Sequence, residues 1–152
     1  MLNRNFKDFK FQHSRNKNQI IYTSQKVQND QVILNLIDNF LIAKNSFIFE
    51  SVEKGKIRGR YTIFGKNPDK IWEFNNNNSY LISNSTKKKI KGEPKKVIEE
   101  IIEGFKFKTP VGLPPICSLL SGYFSYDSIR YVEKIPNKCK DDLKLPDVRL
   151  LR

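Results

Sequence analysis

The chain has 152 residues, a formal net charge of +12, and 38% hydrophobic and 12% aromatic residues. A chain of this length buries roughly 70% of the surface it exposes when unfolded, so it can build a substantial core without staples, and its apolar content excludes a disordered chain. The longest apolar run, Val32 to Ala43, is interrupted by Asn35, Asp38 and Asn39, and Met1-Leu2-Asn3-Arg4 does not lead into an apolar signal core, so a cytoplasmic protein without a membrane partner is expected.

Asn5 can N-cap a short amphipathic helix within residues 3–12, with Phe6 and Phe9 on one side and Lys7 and Lys10 on the other. A polar loop from His13 to Asn18 follows, then Ile20-Ile21-Tyr22 as a short strand. Asp30 opens the clearest helix, whose stripe of Ile33, Leu36, Ile37, Phe40 and Leu41 ends near Lys44-Asn45. From Ser46 the period changes to that of a strand. Phe47, Phe49 and Ser51 alternate with Ile48, Glu50 and Val52, Lys54-Gly55-Lys56 turns the chain, and Arg60-Tyr61-Thr62-Ile63-Phe64 returns as the partner. After a turn at Asn67-Pro68-Asp69, Ile71 to Phe74 and Tyr80 to Ser83 form a second hairpin around Asn75 to Asn78. Gly92-Glu93-Pro94 opens a further helix with Val97, Ile98, Ile101 and Ile102 on its buried side and Gly104 at its stop. Gly122 to Tyr126 reads as a strand, Asp127 as the cap of a helix from Ser128 to Glu133, and Pro136 as its end.

Pro146 to Arg152 reads as a strand that has only just begun, so its apolar residues are expected at a cut edge. The expected class is therefore α+β. One antiparallel sheet packs against helices, in a single domain over residues 1–152 that is truncated at its C-terminal edge.

Catalytic constellations are scarce. His13 lies outside any rigid frame, and Gly55, Gly59 and Gly65 lack the strand-to-helix setting of a phosphate loop. Cys117 and Cys139 with His13 are too few for a structural zinc site, and intracellular thiols stay reduced. Glu99-Glu100 falls on a solvated helix face and Asp141-Asp142 in a loop, where no carboxyl pKa would rise. No catalytic residue and no metal ligand is assigned. Lys87-Lys88-Lys89 and Lys95-Lys96 could contact phosphates, but Lys far outnumbers Arg, the residue of bidentate recognition. The charge is read as a solubility property; nucleic acid is not an expected partner, and a basic nucleic-acid-binding domain is the rival reading. Glu50-Ser51 beside Arg60 stands apart, because a carboxylate, a hydroxyl and a guanidinium together could receive the two charged ends of an amino acid. The plainer reading of the same residues is a polar strand end with a cross-strand ion pair.

Ser46-Phe47-Ile48-Phe49-Glu50-Ser51-Val52-Glu53, followed by Gly59-Arg60-Tyr61-Thr62-Ile63-Phe64-Gly65, resembles the N-terminal region of the anthranilate synthase large subunit, component I, within the chorismate-utilising enzymes. Gly122-Tyr123-Phe124-Ser125-Tyr126-Asp127-Ser128-Ile129-Arg130-Tyr131-Val132-Glu133 is similar to that family's tyrosine-rich stretch, and Leu145-Pro146-Asp147 to the segment before its next strand. The resemblance runs nearly end to end in family order. It implies an N-terminal fragment of an enzyme that converts chorismate and ammonia to anthranilate and pyruvate, the ammonia supplied by a glutamine amidotransferase subunit. It also implies that the chorismate and magnesium sites lie in the missing C-terminal part, so the segment has no cofactor of its own. Glu50 and Ser51 would fall in the pocket for the feedback inhibitor L-tryptophan, with Phe49 and Arg60 as neighbours. The related aminodeoxychorismate synthase large subunit is the alternative within the enzyme class.

Overall fold

In the computed structural model of this chain, which describes residues 5–15, 19–50, 61–105, 109–117, 120–138 and 140–152, the first two helices begin where a side chain satisfies a free N–H group. The Asn5 side chain accepts from the Asp8 N–H at 2.9 Å and starts α1, Phe6–His13. That helix runs further than its sequence suggested, and His13 ends it with its ring stacked on Phe9 at 5.7 Å. α2, Asp30–Leu41, is capped by Asn29 rather than Asp30. The Asn29 oxygen accepts from the Val32 N–H at 3.2 Å, and Asp30 becomes the first helical residue, where its charge suits the helix dipole. α3, Pro94–Phe105, opens on a buried proline and continues through Gly104, which therefore does not stop it. Residues 19–27, including the Ile20-Ile21-Tyr22 stretch expected as a strand, form no regular element; β-propensity over three residues is a weak prior.

The class is α+β, and every strand pairing is antiparallel. The described residues form two sheets rather than the single one expected. The chain divides into two compact units, Gln25–Asp69, and Met1–Ser24 together with Lys70–Arg152. The first unit holds α2 and a two-stranded sheet of β1, Phe47–Glu50, and β2, Thr62–Gly65.

The second unit holds a five-stranded sheet of β3 (Ile71–Asn75), β4 (Asn78–Ser83), β5 (Thr86–Ile90), β6 (Ser121–Phe124) and β7 (Val148–Leu151), in the order β5-β4-β3-β7-β6. Asn76 at φ 51°, and Asn84 and Ser85 at φ 49° and 60°, supply the left-handed backbone that tight hairpins need. β5 was not anticipated, because Lys87, Lys88 and Lys89 read as a charge run. One face of the sheet carries Trp72, Phe74, Val148 and Leu150, and α3 covers it with Val97, joined by Leu81, Ile98 and Ile101. After β6, Tyr126–Tyr131 forms a 3-10 helix rather than the helix expected from Ser128; Asp127 does not cap it but pairs with Arg130 at 2.8 Å.

β7 overturns the expectation of an unpaired edge. It lies inside the sheet, in register with β3 along Phe74↔Val148 and Trp72↔Leu150 and with β6 along Phe124↔Val148 and Gly122↔Leu150. Its entrance is fixed by Asp147. The carboxylate accepts from the Asn76 N–H at 2.6 Å and the Tyr131 hydroxyl at 2.7 Å. The Asp147 N–H donates to the Phe74 carbonyl at 2.8 Å, and its own carbonyl accepts from the Ser125 N–H at 2.7 Å. Burial of the Tyr131 ring, and then its bond to this carboxylate, push the phenol pKa well above the ordinary value of 10.0.

Two outcomes follow for stability. Val148 is fully buried, so Val148→Ala should lower the unfolding free energy by ~2 kcal/mol in urea titrations, whereas a frayed strand would show almost no change. Tyr131 has a raised folded pKa, so its contribution is complete below pH 10.0 and declines as pH rises beyond it. Denaturation midpoints from pH 8 to 11 should fall more steeply for the parent than for Tyr131→Phe.

Candidate functional site

The residues singled out by sequence sit on the β1–β2 hairpin, whose register is Phe47↔Gly65, Ile48↔Phe64, Phe49↔Ile63 and Glu50↔Thr62. Strand alternation puts Ile48, Glu50, Thr62 and Phe64 on one face and Phe47, Phe49, Ile63 and Gly65 on the other. The first face meets α2, where the Phe40 and Phe64 rings pack edge to face at 4.9 Å. The Lys66 ammonium lies 4.5 Å from the centre of the Phe40 ring. On the other face Phe47 lies across Gly65, so closely that a Cβ there would come within 2.6 Å of Phe47 Cε1. Phe47 in turn touches Phe49, with centroids 5.2 Å apart.

Glu50 and Phe49 are therefore exposed on opposite faces of the hairpin end and cannot both line one side of it. Among the described residues, the Glu50 carboxylate has no ion-pair or hydrogen-bond partner. Ser51 and Arg60, expected beside it, lie outside the described residues, as does the Lys54-Gly55-Lys56 turn.

In the second unit the face of the sheet away from α3 bears a charged row that sequence reasoning missed. Glu73 pairs with Lys87 at 2.8 Å and with Arg149 at 3.3 Å, and the Lys87 ammonium also lies 4.6 Å from the Tyr80 ring centre. Burial pushes the Tyr123 phenol up, against the lowering effect of the Arg149 charge. A polar cleft of about 640 Å³ opens here, bounded by Glu73, Asn76, Tyr80, Lys87 and Lys144. Lys87 and Glu73 neutralise one another, which leaves the Lys144 ammonium and the asparagine amides as its offering.

Chemistry of other kinds finds little support in the geometry. Among the described residues, no three or more His, Cys, Asp or Glu side chains stand where they could hold a metal ion, so none is assigned to magnesium. Cys117 is an exposed free thiol. Asp142 pairs with Lys140 at 3.3 Å, while Asp141 accepts from the Lys144 N–H at 2.8 Å. Among the described residues, no helix is long and apolar enough to cross a membrane.

No family model matches the chain. Curated proteins do match it, and three illustrate the likeness. Anthranilate synthase component 1 of Cereibacter sphaeroides is 32% identical over 97% of this chain and 30% of its own length. The protein of the same name from Acetivibrio thermocellus is 34% identical over 78% of the chain and 24% of its own length. The chloroplastic anthranilate synthase alpha subunit 1 of Oryza sativa subsp. indica is 35% identical over 69% of the chain and 20% of its own length. The chain thus spans less than a third of the length of the relatives it matches. Over nearly all of its own length, this chain is a homologue of a segment of anthranilate synthase component 1.

Proposed function

We propose that the chain is the N-terminal regulatory segment of anthranilate synthase component 1, acting in tryptophan biosynthesis. The observation that carries this reading is the 32% identity to the Cereibacter sphaeroides protein across 97% of the chain. In the complete enzyme, chorismate and ammonia would give anthranilate and pyruvate, with ammonia delivered by a glutamine amidotransferase subunit and magnesium held by residues outside this segment.

The segment's own part would be recognition of L-tryptophan. The amino acid presents an ammonium, a carboxylate and a flat apolar ring. Glu50, exposed at the hairpin end and without a partner among the described residues, suits the ammonium. Ser51 follows it in sequence and offers a hydroxyl; Arg60 offers a guanidinium for the carboxylate. Phe49, on the opposite face from Glu50, would act through the shape of the hairpin end rather than from the same wall.

The chain by itself should form no anthranilate from chorismate, ammonia and magnesium, because no acid-base or metal constellation is assembled among the described residues. Heat-labile turnover above background would refute that. Regulation is tested in a chimera in which this chain replaces the matching segment of the Cereibacter sphaeroides protein. There Ser51→Phe should weaken tryptophan inhibition roughly 5- to 150-fold, the effect of one to three kcal/mol of overpacking at a pocket wall. Glu50→Gln should weaken it about tenfold through loss of a charge-assisted bond. Uninhibited turnover should stay near the parent's in both. Inhibition curves that superimpose on the parent's would remove both residues from the effector site.

A further inference from the structure

The polar cleft of the second unit draws its lining from three parts of the chain. The face of the sheet away from α3 contributes Glu73, Tyr80 and Lys87. The turn between β3 and β4 brings Asn75 and Asn78, and the approach to β7 brings Lys144. At about 640 Å³ the cleft has the size of a small-molecule site.

Its charges do not cancel. Glu73 is already met by Lys87 and, from outside the lining, by Arg149. The carboxylates nearest to Lys144 are engaged elsewhere: Asp147 with the Asn76 N–H and the Tyr131 hydroxyl, and Asp142 with Lys140. Asp141 accepts from the Lys144 backbone N–H and makes no ion pair with its ammonium. Among the described residues, the Lys144 ammonium has no ion-pair partner. With Lys87 and Lys144 set against Glu73, the lining carries a surplus of one positive charge.

The amides beside that charge are partly committed. The Asn76 side-chain amide donates to the Asn75 Oδ1 at 2.9 Å, which leaves the Asn75 Nδ2 as a donor. Among the described residues, the Asn78 amide has no side-chain bond, so it offers both a donor and an acceptor. Groups that also do both, such as hydroxyls, match it. An aromatic ligand finds less here, because the Lys87 ammonium lies 4.6 Å from the centre of the Tyr80 ring and occupies its face.

We propose that this cleft binds a small hydroxylated monocarboxylate, its carboxylate on the Lys144 ammonium and its hydroxyl groups on the Asn75 and Asn78 amides. Charge decides against a phosphate dianion, whose second negative charge would face Glu73 with no further cation in the lining to meet it. A lysine suits the task, since a point charge on a flexible stem takes a carboxylate without demanding paired geometry. The cleft uses no residue of the β1–β2 hairpin, so it is additional to the tryptophan site proposed at Glu50 and Ser51.

D-gluconate is the probe, titrated into the 15N-labelled chain while the amide resonances of Asn75, Asn78 and Lys144 are followed. Their shifts should saturate with a Kd on the order of millimolar. D-glucose, which has the hydroxyls without the charge, should give no saturable shift, and inorganic phosphate should bind several-fold more weakly than gluconate. Lys144 has φ 49°, a left-handed backbone that asparagine tolerates well, so Lys144→Asn removes the charge and keeps the turn. It should weaken gluconate about tenfold. Asn75→Asp keeps the acceptor for Asn76 and adds a like charge, and it should weaken gluconate at least as much. Should Lys144→Asn not fold, Asn75→Asp decides. Lys88→Asn, on the opposite face of β5 from Lys87, lowers the net charge by the same amount and should change nothing. The proposal is overturned by the absence of a saturable gluconate shift, by glucose or phosphate binding as well as gluconate, or by Lys88→Asn weakening it as much as Lys144→Asn.

Discussion

Asp147 joins three pieces of the chain at one end of the sheet. Its carboxylate holds the β3–β4 turn through the Asn76 N–H and the 3-10 segment through the Tyr131 hydroxyl, while its main chain bonds to Phe74 and Ser125. Hydrogen bonds to a charged acceptor contribute roughly 1.5–3 kcal/mol each, more than neutral ones, and two of the four here use the carboxylate. The strand order depends on this junction. β7 can lie between β3 and β6 only if its first residue is held against both, and Asp147 touches both within one residue of the strand. With β7 in place, Val148 and Leu150 complete the apolar surface on which α3 rests.

The charge of the chain acquires a local meaning from the sheet. A net charge of +12 invites a polyanion as partner, yet the densest run of lysines is an edge strand. Lys87 leans inward to Glu73, whose side chain is 16% exposed and is shared with Arg149. Lys87 itself is 51% exposed, so the pair stabilises the sheet only modestly. Its larger effect is positional, because Glu73 between two cations fixes β5, β3 and β7 in one register across the polar face.

Local signals were legible in the sequence and distant ones were not. The Asn5 cap, the apolar stripes of α2 and α3 and the Asn-rich turn between β3 and β4 depend on neighbours within a few residues, and all appear as read or within a residue or so. β5 was invisible because an edge strand needs only one apolar face, and of Thr86 to Ile90 only Ile90 is apolar. β7 looked unfinished because both its partners are far away in sequence. The Asp147 junction gave no signal for the same reason, since Asn76 lies 71 residues away in sequence. Glu50 drew attention by its chemistry and by family likeness. Its placement across the strand from Phe49 follows from alternation, which the sequence already contained and which a motif read as a string conceals.

The position of β7 also bears on how the chain reaches its fold. β3, β4 and β5 follow one another through tight hairpins, so they can pair as soon as they leave the ribosome. The inner edge of β3 has to wait, since Asn76 and Asp147 are 71 residues apart in sequence. During that interval the sheet is guarded by lysines on one side only, while Trp72 and Phe74 lie beside an open strand. Closing such a loop is slow compared with hairpin formation, and an unpaired apolar strand is where nascent chains aggregate. The architecture thus places its most vulnerable moment between the synthesis of β5 and that of β7, a window in which chaperone contact would matter more than at any later stage.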